Sequence, residues 1–245
     1  MKECSKSIPR RIKDSNFIRK YFTGNGLDIG GKPDPLSLYR ELFPLVKSIR
    51  TWDLEDGDGQ TLSTVGDNMF DFVHSSHCLE HLVDPTEGIA NWLRVVREGG
   101  YVIVTVPDED LYEQGYFPSI FNRDHKWTFT IYKETSWSSK SVNLLEILKK
   151  LSKSSQIIKL EVINELYRYN FPLYDQTLTP IGESSIEFIL QKNFAAESPN
   201  NGASPKRLGI ISTDDMIHLN QYKDDMHNMK LGNVNNPPFT NNSPL

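Results

Sequence analysis

The chain has 245 residues, 38% of them hydrophobic, and a formal net charge of −5. That length fits one ordinary domain with extra segments or two small ones, and the apolar share supports a core while leaving part of the chain unpacked. A mild acidic excess gives no general pull toward nucleic acid or an anionic membrane, so neither is an expected partner.

Residues 1–23 are basic and polar, with Phe17, Ile18, Tyr21 and Phe22 at roughly helical spacing, and predict a short helix covering the domain edge. It serves either as a structural cover or as a lid over a ligand. This stretch lacks the apolar core of a signal peptide, and no apolar run reaches bilayer-spanning length. Cys4 and Cys78 suggest neither a disulfide framework nor a metal site, and reduced thiols in a cytoplasmic protein are expected.

Gly26-Leu-Asp-Ile-Gly-Gly31 reads as a short strand ending in glycines, followed by a turn at Lys32 to Pro35. Leu36, Leu38, Tyr39, Leu42 and Phe43 fit one side of a helix. Val46 to Trp52 is a second strand, ended by Asp53; residues 54–69 leave no room for a long helix, and Phe70 to Ser75 is a third strand. Pro85 to Arg97 predicts a helix with Ile89, Trp92, Leu93 and Val96 on one face, stopped by Glu98-Gly99-Gly100 through a left-handed cap. Tyr101 to Val106 is apolar and β-branched enough for a central strand buried on both faces. A polar and aromatic stretch runs from Pro107 to Ser139. A helix over Val142 to Leu151 and strands over Gln156 to Tyr169 and Ile186 to Gln191 follow, the strands pairing antiparallel because no helix separates them. Residues 193–245 hold ten Asn and five Pro and are expected to be mostly disordered, with Leu219, Tyr222, Met226 and Met229 on one face of a transient or docking helix. The alternation of strands and helices implies a mostly parallel sheet covered on both faces, ending in an antiparallel pair.

Several clusters carry chemistry. A glycine turn before a helix lets backbone approach a ligand and offers free N–H donors, although Asp28-Ile-Gly-Gly31 lacks a full dinucleotide fingerprint. Asp53, 22 positions beyond Gly31, is placed to accept from a ribose diol or to cap a loop. Asp58-Gly59 either flanks an adenine or makes a plain turn. His77-Cys-Leu-Glu80-His81 is not H-E-x-x-H and shows no third ligand, so no metal is expected there. His125, beside Asp124 in the long loop, is a candidate base.

Together these segments resemble the class I S-adenosylmethionine (SAM)-dependent methyltransferases, in particular the methyltransferase type 11-like group and a bacterial subgroup of it. The resemblance spans about residues 24–192, between an N-terminal helical segment (1–23) and the Asn/Pro-rich tail (193–245). Its most specific part is DNMFDFVHSSHCLEHLVDPTEGIANWLRVVREGGYVIVTVPD, from Asp67 to Asp108; PSIFNRDHKWTFT and DQTLTPIGESSIEFILQK point to the subgroup, some of whose members belong to polysaccharide pathways. The resemblance implies a Rossmann-like α/β fold and SAM as cofactor. Asp28, Gly30 and Gly31 would line its methionine and ribose, Asp53 would take the ribose hydroxyls, Asp58 with Gly59 would flank adenine, and Ser75, Ser76 and His77 would lie near the methionine end. Two departures stand out: the glycine stretch is shortened to D-I-G-G, and the segment from Asp53 to Asp58 is very short, which leaves Asp53 and Asp58 as alternatives for the ribose.

The expected activity is methyl transfer to a hydroxyl or amine of a small molecule or sugar, with His125 or His81 accepting the proton. Competing readings are a SAM-binding protein without catalysis, a dinucleotide oxidoreductase, and a scaffold whose tail recruits partners.

Overall fold

The computed structural model describes residues 3–194. Two helices, α1 (Glu3–Lys13) and α2 (Ser15–Tyr21), precede strand β1 (Gly24–Ile29). The break between the helices is set by Asp14, whose carboxylate accepts from the backbone N–H groups of Asn16 and Phe17 and caps α2. The single expected helix over 1–23 is thus two.

After β1 comes a 3-10 segment, Leu36–Leu42, in place of the expected α-helix. Leu36 and Phe43 are buried, but Leu38 and Leu42 face solvent, so the apolar face is too short to hold a longer helix against the sheet. Strands β2 (Val46–Trp52) and β3 (Phe70–Ser76) fall where the sequence places them. Helix α3 (Pro85–Val95) starts on an Asp84 cap with Pro85 in its first turn. It ends before the predicted glycine stop, because Val96 already pairs with Phe70 as the first residue of β4 (Val96–Pro107). Gly99 does take a left-handed φ of 73°, but inside a bulge: the register passes from Phe70–Val96 to Phe72–Tyr101.

The stretch after β4 holds a short π-helical turn (Glu109–Glu113) and a two-stranded parallel pair, β5 (Thr128–Thr130) and β6 (Ser141–Asn143). Val142 is thereby taken into β6, and α4 (Leu144–Lys150) begins after it on an Asn143 cap. Strand β7 (Ser155–Ile163) is shorter than expected and pairs antiparallel with β8 (Ser185–Lys192).

The six-stranded sheet runs β2-β1-β3-β4-β8-β7, parallel through β4 and antiparallel beyond it. Alternation along the strands divides the core. Leu27, Val73, Val104 and Phe188 pack toward α3 and α4, while Phe72, Ile103 and Ile189 pack toward α1, α2 and the 3-10 segment. The fold is a Rossmann-like α/β sheet with an antiparallel terminal pair. The tail helix expected around Leu219 to Met229 lies outside the described residues.

The face under α1 also buries charge. Asp28, His74, Thr105 and Glu187 come from successive strands, and Arg11 of α1 reaches His74 Nε2 at 2.9 Å and Glu187 Oε2 at 2.9 Å. Because Arg11 donates to Nε2, His74 must donate from Nδ1, to Asp28 Oδ1 at 2.6 Å. Arg10 and Lys159 also contact Glu187. Burial disfavours the Glu187 carboxylate, but Arg11, Arg10 and Lys159 outweigh it and hold its pKa far below the ordinary range.

Candidate functional site

The carboxyl ends of β1, β2 and β3 open onto a cleft of about 840 Å³. Ligands of open α/β sheets lie at that edge. Gly30, at φ 67°, turns the chain out of β1 at the cleft floor; a Cβ there would meet Cys78 Sγ at 2.5 Å. Only glycine serves this position, which needs both the left-handed backbone and the close approach. Asp53, Asp58 and Gly59 line the same cleft, as do Trp52 and Gln60.

Asp53 accepts from the backbone N–H of Lys32 at 3.0 Å and of Leu54 at 2.8 Å, so it pins the glycine turn as well as facing the cleft. Asp58 caps its own turn through Gln60 N–H at 2.8 Å, and the Gly59 carbonyl accepts from Trp92 Nε1 at 2.8 Å.

A smaller cavity of about 150 Å³ is lined by Asp28, Gly31, Ser76, Glu3 and Cys4, and it shares Gly30, His77 and His81 with the cleft. Asp28 has both oxygens engaged, one by His74 and one by Leu36 N–H at 2.7 Å. Its carboxylate therefore braces the turn. Ser75 is fully buried and donates to the Ile29 carbonyl at 3.1 Å; its side chain lines neither cavity.

At the other end of the cleft stand His77, His81 and His125, with Glu80 between them. His77 holds a left-handed φ of 53°, a conformation that costs about 1 kcal/mol or more outside glycine and gathers at functional sites. Glu80 Oε1 lies 3.7 Å from His77 Nδ1, 3.8 Å from His81 Nε2 and 3.8 Å from His125 Nε2. His125 Nδ1 meets Glu113 Oε1 at 2.6 Å, His81 Nδ1 meets the Asp124 carbonyl at 3.1 Å, and His77 Nε2 meets Ser185 Oγ at 2.9 Å. Facing a carbonyl, His81 Nδ1 must be the donor of that bond.

Burial raises the Glu80 pKa and lowers that of His77 well below its usual value. For His125 burial also opposes charge, but the bond to Glu113 prevails and the pKa rises. Glu3 and Asp108 are pushed up by burial, to about 7 and about 6.

The sequence named His77, His81 and His125 as candidates but foresaw no third ligand beside Glu80 and the neighbouring histidines. The long loop brings His125 Nε2 to 3.8 Å from Glu80 Oε1. Glu113 was not foreseen either, since a glutamate twelve positions before a histidine carries no spacing signal. Arg123, Asp124 and Lys126 also line the cleft.

Residues 32–104 match the family described as "Methyltransferase domain". A protein from Listeria monocytogenes assigned as an S-adenosylmethionine dependent methyltransferase superposes with a TM-score of 0.50 at 12% identity, over 78% of this chain and 99% of that one. A SAM dependent methyltransferase from Archaeoglobus fulgidus shares 18% identity over 77% of this chain and 94% of that one, with a TM-score of 0.49. No curated protein matches the chain in sequence. The fold is that of the class I SAM-dependent methyltransferases. Within that fold, residues 32–104 match the methyltransferase domain family, which supports SAM as the cofactor.

Proposed function

We infer that the chain transfers the methyl group of SAM to a hydroxyl or amine of a small molecule or sugar held at the histidine end of the cleft. The observation that carries this is the continuity of one cavity. It joins the Gly30 turn, Asp53 and the Asp58-Gly59 turn to His77, His81 and His125. Methyl transfer is an in-line displacement at an already activated carbon, so the enzyme's work is alignment and exclusion of water. A cavity with a nucleoside-sized end and a polar end suits that work.

In this assignment Gly30 and Gly31 pass the methionine part close to backbone, Asp53 takes the ribose hydroxyls, and Asp58 with Gly59 borders adenine. Ser76 and His77 lie toward the methionine end, with Ser75 and Asp28 supporting them from below. His81 and His125 meet the acceptor and favour its nucleophilic form. No helix among the described residues is long and apolar enough to cross a membrane, which suits a cytoplasmic enzyme. A sugar acceptor from surface-glycan synthesis is the favoured subclass, on the subgroup resemblance.

Calorimetric titration of the full chain with SAM and with S-adenosylhomocysteine tests the cofactor assignment. Binding of both is expected, and Asp53→Ala should weaken it by about tenfold, the loss of one to two hydrogen bonds to a charged acceptor. No heat of binding with either compound would sink it.

A further inference from the structure

Among the described residues, Glu80, His81 and His125 each aim one ligand-type atom at a common point, all within 4.8 Å of one another. Their surroundings do not explain this. Glu80 is completely buried, yet neither of its carboxylate oxygens has a hydrogen-bond partner; His125 Nε2 and His77 Nδ1 are buried and also without one. A buried carboxylate and two buried ring nitrogens left unbonded would each carry a desolvation cost. His77 Nδ1, His125 Nε2 and His81 Nε2 lie 3.7 to 3.8 Å from Glu80 Oε1. Ligands around a tetrahedral ion at about 2.0–2.1 Å stand roughly 3.4 Å apart, so a small closing movement brings these atoms to coordinating distance.

The outer contacts fit as well. A ligating histidine donates its other ring N–H to a carboxylate or carbonyl, which fixes the tautomer. Here Glu113 serves His125 and the Asp124 carbonyl serves His81. His81 is about one-third exposed to the cleft, which gives an ion a path in.

We propose that Glu80, His81 and His125 hold a divalent transition-metal ion, with His77 able to close the fourth position, and that this ion binds the acceptor through oxygen. Two imidazoles and a carboxylate favour zinc or a neighbouring first-row ion over magnesium or calcium, which take oxygen ligands. The proposal rests on the methyltransferase assignment above and narrows its acceptor to a hydroxyl. The ion polarises the bound hydroxyl, whose proton passes to water in the open cleft. The oxygen pair then forms the O–CH₃ bond while the S–CH₃ bond breaks, its electrons staying on sulfur as S-adenosylhomocysteine. His81 and His125 act by holding the ion.

The test uses the full chain, stripped with a chelator and titrated with zinc chloride in the absence of SAM. A tight site is expected that His81→Ala weakens at least a hundredfold. Because His81 sits at the cleft wall, its truncation leaves the core filled, and an unchanged melting temperature of the metal-free protein confirms this. Glu113→Gln should weaken the site by roughly ten- to a hundredfold, the effect of a group acting through His125. Cobalt(II) gives a second readout, its visible absorption reporting nitrogen and oxygen ligation in wild type and losing intensity in His81→Ala. A wild-type chain without such a site, or His81→Ala retaining it at full affinity, overturns the proposal. Metal binding without SAM affinity would fault only the methyltransferase assignment, whereas SAM affinity without metal binding would fault only this one.

Discussion

The molecule buries charge in two places and treats it in opposite ways. Under α1, the carboxylate oxygens and ring nitrogens of Asp28, His74 and Glu187 all have partners. Around Glu80, which is as deeply buried, both carboxylate oxygens, His77 Nδ1 and His125 Nε2 have no hydrogen bonds. Both regions sit on the same sheet, so burial alone does not separate structural charge from functional charge. Completeness of pairing does. The acidic groups under α1 are matched by Arg10, Arg11 and Lys159 and hold the fold, and the Glu80 cluster is organised around something that is not part of the chain.

The sharpest way to break this comparison is Arg11→Met. It leaves Glu187 and His74 buried without their main partner, and loss of one side of a buried ion pair costs about 3–5 kcal/mol. Urea denaturation should show that loss, and a change below about 1 kcal/mol would mean that the α1 face does not depend on pairing.

Acid should find the same region next. The Glu187 pKa is depressed in the folded chain, so its stabilisation is complete above the unfolded value of 4.5 and is lost as pH falls below it toward the folded value. Arg10 and Arg11 on α1, Lys159 on β7 and His74 on β3 are the charged or titratable groups around it. The denaturation midpoint should therefore drop steeply below that pH, and Glu187→Gln should flatten the acid limb. An equally steep limb in that variant would assign the loss to other carboxylates.

The smallest effect on stability is expected at Glu80. Glutamine keeps the shape and removes a desolvated charge that has no hydrogen-bonded partner, so Glu80→Gln should shift stability by no more than about 1 kcal/mol in either direction. Methyl transfer should nevertheless fall at least a hundredfold. A large destabilisation with intact turnover would reverse the contrast between the two regions.

The sheet was legible because its strands advertise themselves. Tyr101 to Val106 and Ile186 to Gln191 are almost wholly apolar or β-branched, and the absence of a helix between the last two strands dictated their antiparallel pairing. Boundaries were harder wherever tertiary pairing overrides local signals. Glycines 99 and 100 look like a helix stop, but Val96, three residues before Gly99, is claimed by Phe70. Leu38 and Leu42 look like a helix face, but nothing covers them.

Among the candidate residues, Asp53 (from its spacing), the Asp58-Gly59 pair and Gly30 line the cleft, while Gly31 lines the smaller cavity. Asp28 also drew notice, although its bonds to His74 and Leu36 give it a bracing task that no sequence spacing reveals. The convergence of Glu80 and His81 with His125 was invisible because it depends on how a loop returns across 44 positions. Glu113 was hidden for the same reason.

Helix α1 bears on how molecules come and go. Glu3 and Cys4, in its first turn, form part of the smaller cavity's wall, while Arg10 and Arg11 near its other end are bonded into the middle of the sheet. Swinging that wall outward would take Arg10 and Arg11 away from Glu187 and leave it only Lys159, so this flank behaves as a fixed bulkhead. The other side of the cleft is lined by the loop residues Arg123 to Lys126, which, among the described residues, no such ion pairs tie to the sheet.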